Sequence, residues 1–191
     1  MKRIALLASG SGSNVENIIN HLSKNKKIKF PLILSNKEEA YVHKRAIMLG
    51  IPSYTHTERE FENGKVLQLL KNNKINFIVL AGFLLKIPEN ILKVYHNRII
   101  NIHPSLLPKF GGKGMYGIHV HKAVMKNKET ESGITIHYVN EHYDKGKIIF
   151  QAKCKIFSTD SLQEIEKKIH ALEYKYFPKV IEKLVFKQKY C

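Results

Sequence analysis

The chain predicts an α/β fold, a Rossmann-like, mostly parallel sheet with helices on both faces. Three observations carry this. Short apolar runs alternate with stretches of helical periodicity through the first half of the chain, a glycine-rich loop joins the first apolar run to the first helix, and motif-bearing loops follow several apolar runs. Such alternation is the βαβ grammar of a parallel sheet, and ligands in such sheets bind beyond the carboxyl ends of the strands. At 191 residues the chain fits one domain, 1–191, large enough to bury a core without metal or disulfide staples.

The elements follow in order. Arg3 to Ala8 is an apolar strand and Ser13 opens a helix. Ile28 to Leu34 makes a second strand, Glu38 to Leu49 and Glu60 to Asn72 read as helices, and Asn76 to Ala81 is a third strand. Pro88 stands where it can open a short helix, and Ile99 to Ile102 is the next strand. Lys109 to Gly117 is a glycine-rich loop and a candidate mobile cover, since Gly111, Gly112, Gly114 and Gly117 leave it little stiffness. His119-x-His121 begins a helix, Ile134 to Val139 and Lys147 to Lys155 read as strands, and from Ser161 one long helix follows, broken or bent near Pro178. No repeat or low-complexity linker divides the chain.

Composition narrows the function classes. The net charge is +16, which invites a nucleic-acid partner, yet all but four of the 32 basic residues are Lys. Arginine is the residue usually recruited for bidentate phosphate and base recognition, and these lysines are spread through every helix rather than gathered in one block. The charge suits anionic small molecules. No apolar run has membrane-spanning length, and the first strand is too short for a signal peptide, so a cytoplasmic protein is expected. Cys154 and Cys191 have no metal-ligand spacing and read as reduced, structural or incidental thiols. His119, His121, His137 and His142 supply good zinc donors by type, but His119 and His121 diverge at helical spacing, and no metal site is expected.

Two segments carry chemistry. Gly10-Ser11-Gly12-Ser13-Asn14 lies between a strand and a helix, where backbone N–H groups and the helix dipole favour a phosphate, although a tight turn with a serine cap would look similar. A dinucleotide fingerprint would put a third glycine at 15 and an acid about twenty residues on. Val15 and Ser35-Asn36 stand there instead, so a single phosphate is favoured over NAD. In Asn101-Ile102-His103-Pro104-Ser105-Leu106-Leu107-Pro108, residues i and i+2 of an extended strand point the same way, so Asn101 and His103 face one space. An amide that can stabilise an oxyanion beside an imidazole that can handle a proton suits acyl transfer. Asp144 precedes Lys145-Gly146, a pattern that serves a turn as well as a catalytic carboxylate.

With these motifs the sequence resembles the folate-dependent formyltransferases, and among them the phosphoribosylglycinamide formyltransferases that use 10-formyltetrahydrofolate. Ser9 to Asn14, Ser35-Asn36, Ala81 to Leu84, the octapeptide, Gly133 to His137, Asp144 to Gln151 and His170 to Glu173 carry the resemblance. It implies a formyltransferase fold, with Asn101, His103 and Asp144 catalytic and Asp144 raising the imidazole's pKa above its ordinary value. It implies that Gly12, Ser13, Asn14, His170 and Glu173 bind the ribonucleotide. The folate side falls to Arg59, Leu84, Leu85, Lys86, Ile87 and Asn101, and to Asn140, Glu141, His142, Tyr143 and Asp144. Leu85 departs from the basic residue common there in the family. The resemblance further implies small-molecule partners, no nucleic acid or membrane, a monomer or homodimer, and no permanently bound cofactor, 10-formyltetrahydrofolate being a cosubstrate. The alternatives are a methionyl-tRNA formyltransferase-like enzyme, which would share the three catalytic residues, and a non-catalytic basic nucleic-acid-binding module.

Overall fold

A computed structural model describes residues 1–187, so Cys191 lies outside the described residues. Seven strands form one sheet in the order β3-β2-β1-β4-β5-β6-β7. These are β1 (Lys2–Leu7), β2 (Ile28–Ser35), β3 (Ser53–Thr55), β4 (Phe77–Leu80), β5 (Ile99–His103), β6 (Glu131–Tyr138) and β7 (Ile148–Lys155). The pairings from β3 to β5 are parallel, and β6 and β7 join antiparallel. The helices are α1 (Ser13–Leu22), α2 (Val42–Met48), α3 (Glu58–Glu62), α4 (Lys65–Asn72), α5 (Glu89–Val94), α6 (Ile118–Lys126) and α7 (Leu162–Lys187).

Strand periodicity divides the core. Ile4 and Leu6 point to one face, where they meet Ile18, Phe177 and Ile181, whereas Ala5 and Leu7 point to the other, with Phe61, Leu70 and Ile99. A strand covered on both faces must be apolar at every position, which is why the central strands read as unbroken hydrophobic runs. Among the described residues no helix is long and apolar enough to cross a membrane.

Several boundaries differ from the sequence expectation for local reasons. α2 begins at Val42 rather than Glu38, because the preceding residues form a turn in which the Ala40 N–H donates to the Lys37 carbonyl. The expected helix Glu60 to Asn72 is two helices, α3 and α4. Gly64, at φ 91°, breaks it, and the Asn63 side chain accepts from the Lys65 N–H. β3 has three residues, too few for a period to register. β6 starts at Glu131 rather than Ile134. Gly133 sits in it because a Cβ there would stand 2.0 Å from the Ala152 carbonyl oxygen of β7.

α7, expected to break or bend near Pro178, does not break there but runs as one helix through it. A proline inside a helix leaves the carbonyl four residues back without its donor. That carbonyl belongs to Tyr174, and the Asn17 side chain of α1 donates to it at 3.1 Å. A neighbouring helix thus supplies the missing donor. At its start α7 is capped by Ser161 and Glu164, each side chain accepting from the other's backbone N–H.

Candidate active site

A cleft of about 620 Å³ opens beyond the carboxyl ends of β1, β4 and β5 and is walled by the glycine-rich loop, the β6–β7 connection and α7. Asn101 and His103 on β5 both line it, as their i, i+2 spacing requires. Antiparallel pairing sets Asn101 opposite His137 on β6. The His137 Nδ1–H donates to the Tyr138 carbonyl at 2.8 Å, which leaves Nε2 free to accept from the Asn101 amide at 3.1 Å. This bond orients the amide and leaves its second N–H for a ligand. His137 entered the sequence reading as a possible metal donor and as the end of the Gly133 to His137 segment; its cross-strand partnership with Asn101 had no signal before β5 and β6 were paired.

His103 is 3% exposed. Its Nε2–H donates to the Phe110 carbonyl at 2.7 Å, and its Nδ1 stands 3.5 Å from Asp144 Oδ2. The Asp144 Oδ2 also accepts from the Gly112 N–H at 2.9 Å, while Oδ1 lies 3.6 Å from His137 Nε2. A Cβ on Gly111 would meet Asp144 Cβ at 3.2 Å and Leu107 Cδ2 at 2.5 Å, so the close approach of this loop to the carboxylate needs glycine. Phe110 is held at φ 55°, an uncommon value for a bulky residue.

The exit from β5 is braced by side chains that sequence reasoning passed over. Thr135 Oγ1 donates to the Ser105 carbonyl at 2.6 Å and accepts from the Leu107 N–H at 3.0 Å. Gln151 Nε2 donates to the Leu107 carbonyl at 3.0 Å. The prolines restrict the octapeptide locally, but β6 and β7 hold it in place.

The expected elevation of the His103 pKa is overturned. Burial of the ring favours its neutral form and lowers the pKa below the ordinary value, against the opposing pull of Asp144 and the Phe110 carbonyl. Burial would by itself raise Asp144, but the His137 ring, His103 and the Gly112 N–H together hold the carboxyl below its usual range. A carboxylate thus faces an imidazole that is neutral near pH 7.

At the other end of the cleft, Gly12 precedes α1 at φ 72° with no side-chain cap, so the first backbone N–H groups of that helix are not covered by a capping side chain. A Cβ on Gly12 would lie 2.5 Å from Val42 Cγ2, so its glycine serves packing as well as an approaching anion. Asn14 Nδ2 donates to Glu173 Oε2 at 2.8 Å, and His170 Nδ1 lies 2.9 Å from the same oxygen. Glu173 is the largest cause of an upward shift in the His170 pKa. Gly12, Ser13, Asn14, His170 and Glu173, distant in sequence, thus share one wall.

Leu84, Leu85, Lys86 and Ile87 line the cleft, as do Asn140, His142 and Tyr143. The first loop is tied to this side through Ser9, whose hydroxyl accepts from the Leu84 N–H at 2.9 Å and donates to Asn36 Oδ1 at 2.6 Å. Arg59 is exposed on α3, and neither it nor Glu141 belongs to the lining. Among the described residues no three His, Cys, Asp or Glu side chains are grouped to hold a metal.

Known proteins resemble this chain along nearly its whole length. A family model described as Formyl transferase matches residues 2–181. The chain is 38% identical over 191 residues to the phosphoribosylglycinamide formyltransferase of Bacillus subtilis, covering 97% of this chain and 95% of that one. It is 36% identical over 187 residues to the chloroplastic enzyme of that name from Arabidopsis thaliana, covering 94% of this chain but spanning only 64% of the plant protein. The crystal structure of phosphoribosylglycinamide formyltransferase from Bacillus halodurans superposes with a TM-score of 0.88 at 35% identity, covering 97% of this chain and 96% of that one. With the match running through the loop at Gly12, the Asn101–His103 pair and the wall at Glu173, the chain belongs to the formyl transferase family.

Proposed function

We propose that the chain transfers the formyl group of 10-formyltetrahydrofolate to the primary amine of 5-phosphoribosylglycinamide, a step of purine biosynthesis. The observation that carries this reading is the convergence of Asn101, His103 and Asp144 in one cleft with a phosphate-type loop and a slot lined by Leu84–Ile87. In this reading the Gly12–Asn14 loop takes the phosphate, Glu173 with His170 takes the ribose hydroxyls, and the folate ring lies against Leu84–Ile87 and Asn140–Tyr143. The partners are small molecules, the folate is a cosubstrate rather than a resident cofactor, and the location is cytoplasmic.

The amine attacks the formyl carbon, a C–N bond forms, and the carbonyl π pair moves to oxygen. The free Asn101 N–H stabilises that oxyanion. A developing oxyanion is a stronger acceptor than an amide carbonyl and competes with Phe110 for the His103 Nε2–H. Once the oxyanion and Asp144 flank the ring, two negative groups oppose the burial that keeps it neutral, and its charged form is favoured at the stage where charge develops. The imidazole then holds the proton shed by the new ammonium while it passes to the folate N10. The C–N10 bond breaks, the carbonyl reforms, and the products are the formamide and tetrahydrofolate. A ring charged at rest would bind ground state and transition state more nearly alike; a ring charged only in the intermediate favours the latter.

Mixing the purified chain with both substrates and following folate product by absorbance tests the reading. Turnover that requires the ribonucleotide is expected, and no turnover above background rejects it.

A further inference from the structure

One polar group in the cleft has no task in the mechanism above. His121 lies in the first turns of α6, in which His119 and His121 point apart: His119 is exposed against the Tyr116 ring, whereas His121 is 3% exposed beside the fully buried Val120. Its Nδ1 is buried without a hydrogen-bond partner. An orphaned ring nitrogen weakens a fold, and leucine would fill the same space without that cost. The ring nevertheless forms part of the cleft wall, at the end that also holds Asn14, His170 and Glu173. Asn14 has an orphan of its own there, since its amide nitrogen bonds Glu173 but its Oδ1, also buried, has no partner.

Two buried polar atoms without partners, on cleft-lining residues that both interact with Glu173, point to a polar ligand at this wall. The charged groups facing His121 are Glu166, His170 and Glu173, all on α7, and burial keeps its imidazole neutral against the pull of the two glutamates. A neutral imidazole offers one N–H donor. The carboxylate of Glu173 and the Asn14 oxygen offer only acceptors, which suit hydroxyl groups, whereas the ester and phosphate oxygens of a phosphorylated sugar need donors, and His121 adds one from α6 to those of Ser13 and His170. We propose that His121 contacts the ribonucleotide directly, donating to an oxygen of its ribose 5-phosphate moiety, so that α6 as well as α1 and α7 closes the sugar-phosphate end of the cleft. This rests on the assignment of the ribonucleotide to that end.

His121→Leu and His121→Gln test it against a purely structural role. Leucine removes the donor and the orphan together. The Michaelis constant for 5-phosphoribosylglycinamide is expected to rise about tenfold, the worth of one hydrogen bond, while kcat and the folate constant change far less. Thermal unfolding of the leucine variant is expected to move up by about 2–4 °C. Glutamine keeps an N–H donor on a side chain of similar reach and is expected to recover part of the affinity. Ribonucleotide constants unchanged in both variants, with the parent chain active, overturn the contact and leave the assigned reaction standing. A parent chain that neither turns over nor binds the ribonucleotide in calorimetry overturns both.

Discussion

The two ends of the cleft each hold an imidazole beside a carboxylate, and the two pairs titrate in opposite directions. At the chemical end, His103 stands 3.5 Å from Asp144 and its side chain is 4% exposed. At the end proposed for the sugar, His170 stands 2.9 Å from Glu173 and its side chain is 40% exposed. His103 is pushed down because losing water outweighs its partner, and His170 is pushed up because the closer carboxylate outweighs a smaller loss. A histidine–carboxylate pair therefore has no fixed meaning. Depth decides whether burial or the neighbouring carboxylate sets the direction in which the ring's pKa moves.

The comparison breaks most sharply at the chemical end. Asn101→Ala and His103→Ala are each expected to lower kcat by two to three orders of magnitude, on the order of what one oxyanion or proton-handling group supplies, with smaller changes in substrate affinity. Steady-state kinetics with both substrates checks this; near-normal turnover in either variant removes the pair from the mechanism. Asp144→Asn keeps the shape but not the charge. Turnover near pH 7 is expected to fall by roughly one to two orders of magnitude, and the His103 midpoint, already low, to fall further. An unchanged His103 titration by NMR would mean that the carboxylate only makes its turn.

Changes at the sugar end are expected to be milder and to fall on binding. Glu173→Gln removes the charge that holds His170 up and weakens the acceptor proposed for the ribose. The Michaelis constant for the ribonucleotide is expected to rise by about tenfold, with the His170 midpoint moving down. A loss confined to kcat would place Glu173 in the chemistry instead.

The finest test needs no variant. In the free protein, NMR titration is expected to place the His103 midpoint below the ordinary value of about 6.5 and that of His170 above it. The signs carry to stability. His103, depressed on folding, contributes stability that is complete above about pH 6.5 and lost as pH falls through its lowered folded value, where the unfolded chain binds more protons. His170, raised on folding, contributes stability that is complete below about pH 6.5 and lost as pH rises through its folded value. Midpoints on the same side of 6.5 would erase the distinction between the two ends.

Much of the site was legible because it lies in loops with strong local rules. Gly12 before a helix, the Asn101-x-His103 alternation and the prolines that follow act over a few residues, so order along the chain suffices to place them. The breaks in the reading come where a distant segment intervenes. α7 continues through Pro178 because Asn17 donates to the Tyr174 carbonyl, and nothing near Pro178 announces that donor.

The sequence by itself determined the class of sheet, the loops that carry ligands, and the chemistry available to Asn101, His103 and Asp144, since periodicity, turn preference and functional-group type are properties of residues and near neighbours. Only the tertiary structure decided that Asn101 is oriented by His137, that Phe110 occupies the His103 Nε2–H, and that this imidazole rests neutral. Protonation depends on how much water a ring loses and which charges approach it, and both are set by strands and loops that meet it only after the chain has folded.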